Sequence, residues 1–268
     1  MSKSKMFEEY TMKMKHGKAT TKIVQQSLWQ GFELHKLILH RDDGSEISIL
    51  LLLPEYQVGP CPCIIAVHGF TSSKDEWIEM DNYTKGGNAV LSLLQNGYAV
   101  IALDMYQHGE NKDDGLNLTY DELMNEHWEV FFEETMKDIH SAIDYVAWSG
   151  KLDPERIGVL TYSVGGVFAF KVANSTAKIK TVAMCVPPVF KEDDDEYAPY
   201  NNLDNLSDVP LLMISASRDE EVNFSEAQWL FSQFPDEMEH KRFVSYESGH
   251  SLPLEYVSVV VDWFRVYL

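Results

Sequence analysis

The chain has 268 residues, 45% hydrophobic and 24% charged, so it can bury a sizeable core and does not have a disordered composition. A formal net charge of −20 argues against non-specific attachment to nucleic acid or to an anionic membrane, both of which need clustered lysine and arginine. The three cysteines, Cys61, Cys63 and Cys185, are too few and odd in number for a disulfide framework, and "CPC" lacks the spacing of zinc or redox pairs.

In chain order, residues 1–30 are polar and mixed, and are expected to form a helical segment packing on the body. Basic residues occur there without an apolar stretch, so no signal peptide is expected, and no run is long enough to span a bilayer. A cytoplasmic location is the default expectation.

Regular patterning begins at "FELHKLILHR" and "EISILLLLPE", two strand-like runs joined by the turn signal "DDGS". "CIIAVHGF" is a continuous apolar run of the kind buried on both faces of a sheet. "GNAVLSLLQNG" predicts a helix closed by glycine, and "YAVIALDMY" another buried strand. A long helical stretch is expected from Thr119 to Trp148, opened by a Thr119/Glu122 capping box.

"RIGVLTYS" predicts a strand, with a helix from Val164 onward. "IKTVAMCVPP", "VPLLMISAS" and "KRFVSYES" are further strands, with a helical "NFSEAQWLFSQF" between the last two. "EYVSVVVDWFRVYL" is expected to be the final helix. Strand and helix alternate after the hairpin. Residues 31–268 therefore read as one α/β domain, a mostly parallel sheet of about eight strands with helices on both faces.

Sites in such sheets form beyond the carboxyl ends of the strands. Those ends carry His68-Gly69-Phe70, then Asp104 in "DMYQHGEN", then Ser163, then "SRDEEV", then Gly249-His250. A serine, an acid and a histidine thus follow three separate strands. A serine hydroxyl is a weak nucleophile unless a histidine takes its proton and an acid orients that histidine. A tight strand-to-helix turn exposes the serine oxygen and aims the next amide, that of Val164, at a developing oxyanion. The second amide is expected from an earlier loop, at Phe70.

With "HGF", "DMYQHGEN", "LDPERIGVLTYSVGG", "SRDEEV" and "SGH" in this order, the sequence resembles the α/β-hydrolase superfamily from about residue 32 to the end. "LDPERIGV" is similar to dienelactone-hydrolase-like esterases, acetyl-xylan esterases and the prolyl-oligopeptidase catalytic domain. "HGFTSSKDEW" resembles the oxyanion loop of cinnamoyl- and feruloyl-type carboxylesterases. The resemblance implies Ser163 as nucleophile, His250 as general base and acid, and Asp219 as orienting carboxylate, with oxyanion amides at Phe70 and Val164. Asp219 competes with Glu220 and Glu221, and Asp-x-x-Val with Val222 resembles the family's acid loop. His68, His108 and Asp104 are expected to shape loops.

The implied activity is cleavage of a small-molecule carboxylic ester through an acyl-enzyme, with no cofactor and no metal. Thioester, peptide or carbon–carbon hydrolysis on the same fold is the alternative, and a non-catalytic ligand receptor the distant one. Dienelactone hydrolases proper use a cysteine where Ser163 stands. Trp77 and Tyr106 are candidates to line the substrate pocket, and residues 187–206 to form a short lid. Thr161 replaces the first glycine of Gly-x-Ser-x-Gly, and is expected to pack without displacing the turn, leaving Ser163 at a positive φ.

Overall fold

The structure, a computed structural model, describes residues 20–41, 43–55, 58–112, 118–189, 201, 203, 206 and 208–268. Its centre is a nine-stranded sheet. The strands are β1 (Thr20–Trp29), β2 (Phe32–His40), β3 (Glu46–Leu53), β4 (Cys61–Val67), β5 (Ala99–Leu103), β6 (Leu152–Tyr162), β7 (Ile179–Cys185), β8 (Leu211–Ala216) and β9 (Lys241–Tyr246). Their order across the sheet is β1-β2-β3-β5-β4-β6-β7-β8-β9. The pairs β1/β2, β2/β3 and β3/β5 are antiparallel, and every pair from β5/β4 to β8/β9 is parallel.

The helices are α1 (Gly86–Gln95), α2 (Tyr120–Glu126), α3 (Trp128–Trp148), α4 (Gly165–Ser175), α5 (Phe224–Ser232) and α6 (Tyr256–Tyr267). Side chains alternate across a strand, and β4 shows the consequence. Cys63, Ile65 and Val67 join the core made with α3, α4 and α5, while Ile64 and Ala66 join the core made with α1 and α6. Burial on both sides explains why β4 and β5 read as unbroken apolar runs.

Three expectations are corrected. Residues 20–29, expected within a helical N-terminal segment, form the edge strand β1 and raise the strand number from about eight to nine. The stretch Thr119–Trp148 is two helices, because His127 (φ −125°, ψ 9°) leaves the helical region. The Thr119/Glu122 capping box does form, and it opens the short α2. Strand β6 begins earlier than expected, at Leu152. Its register against β4 shifts between Cys61↔Leu152 and Cys63↔Ile157, which absorbs the extra residues around Pro154. Among the described residues, no helix is long and apolar enough to cross a membrane. The lid expected at 187–206 falls largely outside the described residues.

Candidate active site

Strand β6 delivers Ser163 at the sheet's carboxyl edge. Its φ is +51°, a left-handed value that costs a non-glycine residue about 1–3 kcal/mol and persists only where surroundings enforce it. Here Ser163 N–H donates to the Cys185 carbonyl at 2.8 Å, and the Ser163 carbonyl accepts from Gly166 N–H at 2.8 Å. Both glycines after the turn are required by close approach. A Cβ at Gly165 would lie 2.6 Å from the His68 carbonyl oxygen, and one at Gly166 would lie 2.6 Å from Pro187 Cβ.

Thr161 does not crowd the turn. A Cβ at Gly166 would sit at ordinary contact distance, 3.7 Å, from Thr161 Oγ1. What the threonine carries is a buried hydroxyl with no hydrogen-bond partner among the described residues.

The acid and the histidine come from adjacent parallel strands. Beyond β8 and β9, Ser217 N–H donates to the Tyr246 carbonyl at 2.8 Å and Arg218 N–H to the Ser248 carbonyl at 2.9 Å. These bonds hold the two loops side by side, and Asp219 Oδ2 meets His250 Nδ1 at 2.8 Å. Asp219 Oδ1 accepts the amides of Glu221 and Val222, both at 2.9 Å. Burial would raise the Asp219 pKa, but the His250 hydrogen bond and these amides outweigh it and hold the carboxyl below its usual range. Glu220 and Glu221 do not take this position.

With Nδ1–H donated to Asp219, the His250 lone pair resides on Nε2. That atom is buried without a hydrogen-bond partner among the described residues. His250 and Ser163 line one cavity of about 700 Å³, together with Phe70 and Val164. Four of the five residues expected to do chemistry therefore share a wall of that cavity, and Asp219 stands behind His250.

The loop after β4 is braced from below. The fully buried His68 donates from Nδ1 to the Gly69 carbonyl at 2.7 Å and accepts the Met105 amide on Nε2 at 3.1 Å. Burial first, then the neighbouring His108, lowers its pKa to about 4, so the ring is neutral. His108 Nδ1 bonds the Tyr106 carbonyl at 2.8 Å. Asp104, fully buried, accepts the amides of Lys74 at 2.7 Å and Glu110 at 3.0 Å and pairs with the Lys74 ammonium. Gly109 (φ +51°) is the only residue type that fits over this carboxylate, because a Cβ there would lie 2.2 Å from Asp104 Oδ1.

Two expectations about the pocket are overturned. Trp77 is 1% exposed and packs in the α1/α6 core, its ring beneath Gly86. Tyr106 packs against the opposite core, with its amide bonded to Thr135 Oγ1 at 3.0 Å. Neither lines the cavity, whose walls instead include Glu76, Glu79, Tyr83, Tyr162 and Glu221.

Tyr162 is the residue that sequence reasoning missed. Its hydroxyl donates to the His250 carbonyl at 2.7 Å and accepts the Leu252 amide at 3.0 Å. The available signal was strand alternation, which sends Tyr162 to the α1/α6 side where the histidine loop returns.

The dienelactone hydrolase family profile matches residues 88–256. The chain is similar to YtaP of Bacillus subtilis (strain 168), 26% identical over 172 residues, which are 63% of this chain and 56% of that protein. It is similar to the esterase YjfP of Escherichia coli (strain K12), 23% identical over 259 residues, covering 84% of this chain and 98% of that one. Among solved structures, an acetyl xylan esterase from Paenibacillus sp. R4 superposes with a TM-score of 0.72 at 17% identity, over 93% of this chain and 89% of that one.

Proposed function

The chain belongs to the dienelactone hydrolase family, and from that premise we propose that it is a serine carboxylesterase working through Ser163, His250 and Asp219. One observation carries the reading. His250 is clamped to Asp219 through Nδ1, its Nε2 makes no hydrogen bond among the described residues, and its side chain lines the same cavity as a serine at positive φ. The family match and the likeness to esterases support ester hydrolysis as the activity.

His250 Nε2 takes the proton of Ser163 as Oγ attacks the ester carbonyl. The Asp219 carboxylate fixes the imidazole tautomer and stabilises the imidazolium that forms. The oxyanion meets the amides of Phe70 and Val164, each such donor contributing about 3–4 kcal/mol to the transition state. His250 then returns the proton to the departing alcohol, and afterwards activates water against the acyl-enzyme.

The test is turnover of a p-nitrophenyl ester panel by the wild type and Ser163→Ala. A fall on the order of 10⁵-fold or more in kcat is expected. Comparable kcat values for the two proteins would remove Ser163 from the chemistry.

A further inference from the structure

The charge of the cavity wall carries a statement about the substrate, one that rests on the esterase reading. Three carboxylates line the cavity, Glu76, Glu79 and Glu221, and among the described residues no lysine or arginine does. The neighbouring cations are engaged elsewhere. Lys85 Nζ contacts the carbonyls of Asn82 at 3.2 Å and Tyr83 at 3.4 Å, and Arg218 pairs with Glu247.

Glu76 is a separate observation. It is 6% exposed, and neither carboxylate oxygen completes a hydrogen bond among the described residues. The hydroxyl residues Ser72 and Thr84 lie beside it, and burial raises its pKa above the usual range. Those hydroxyls offset part of the cost of burying this carboxylate, and a cation in the cavity would offset more of it.

The position of Glu221 sets the direction. Its Oε2 lies 3.7 Å from His250 Nε2, the atom that hands a proton to the departing alcohol oxygen. Glu221 therefore borders the leaving-group side of the cavity. Tyr83 shares that side, half exposed, its ring centroid 6.3 Å from the His250 ring. A carboxylate beside an open aromatic face is the pair of groups that recognises an ammonium, whereas an anionic alcohol meets only like charge there.

We infer that this site favours esters whose alcohol carries a positive charge, that is esters of amino alcohols, over neutral isosteres, and disfavours esters of anionic alcohols. Hydrolysis of such an ester consumes one water and releases the carboxylic acid and the amino alcohol.

The experiment compares kcat/KM for three acetate esters, those of choline, of the uncharged isostere 3,3-dimethylbutanol, and of 3-hydroxypropionate. The expected order is choline, then the neutral ester, then the anionic one. Glu221→Gln is expected to shrink the choline-to-neutral ratio about fivefold. Tyr83→Ala is expected to shrink it as well. The rate of fluorophosphonate labelling of each variant shows that the folded site survives. Equal kcat/KM for the choline and neutral esters, or a ratio that Glu221→Gln leaves unchanged, would overturn this inference alone. Absence of both labelling and turnover of all three esters in the wild type would overturn the esterase reading along with it.

Discussion

The Tyr162 hydroxyl ties the residue before Ser163 to the loop that carries His250, donating to the His250 carbonyl at 2.7 Å while accepting the Leu252 amide at 3.0 Å. The proposed nucleophile and base are thereby referenced to one side chain. Tyr162→Phe keeps the ring and deletes both bonds, leaving a buried carbonyl and amide unsatisfied at a cost of about 1–3 kcal/mol. The expected result is a kcat lower by about tenfold or more with KM nearly unchanged, because the loss falls on alignment and not on binding. Steady-state kinetics decide this, and a raised KM at constant kcat would contradict it.

Asp219→Asn retains the shape of the loop but gives the wrong partner to Nδ1–H. A fall in kcat on the order of 10³–10⁴ is expected. The substitution also bears on acid stability. Because Asp219 titrates below its ordinary value of 3.8, its stabilising contribution is fully present above that pH and is lost as pH falls through the lower folded value. Unfolding curves between about pH 5 and pH 2 should therefore be flatter for Asp219→Asn than for the wild type.

Thr161 offers a gain of stability. Its hydroxyl is buried without a partner, and valine has the same shape without the polar atom. Thr161→Val is expected to stabilise by about 1 kcal/mol, which raises Tm by about 2–4 °C for a domain of this size. Ser163 labelling should persist in the variant, since the turn is enforced by Gly165, Gly166 and Cys185. A lower Tm would show that the threonine oxygen is satisfied in solution.

His68 supplies a second pH effect of a different origin. Its folded pKa is about 4 against an ordinary 6.5, so the unfolded chain binds a proton between those values that the native state refuses. Stability should fall as pH drops from about 6.5 to about 4, and His68→Gln should reduce that slope in denaturant titrations. A wild-type stability that is level across this window would contradict the buried neutral imidazole.

The sequence made the parallel half of the sheet legible because β4 and β5 are buried on both faces, which leaves an unmistakable apolar run. The site was legible for a related reason. Ser163 and Asp219 each follow a buried apolar run, His250 follows the half-exposed last strand β9, and Gly165 marks a place where backbone packs on backbone. The N-terminal strand β1 was not legible, since an edge strand with exposed Gln25, Gln26 and Leu28 has no clean alternation. Nor was the direction of a loop side chain. Trp77 and Tyr106 sit at the correct edge of the sheet yet turn into the cores, while Tyr83 and Glu221 turn to the cavity. Tyr162 was hidden because its partners lie 88 and 90 residues away in the chain.

The central claim is that Ser163 Oγ is the atom acylated by an ester substrate. Peptide mapping by mass spectrometry after reaction with a fluorophosphonate tests it most directly. One adduct is expected, on the peptide carrying Ser163, with none in Ser163→Ala. An adduct on another residue, or undiminished labelling of the alanine variant, would contradict it.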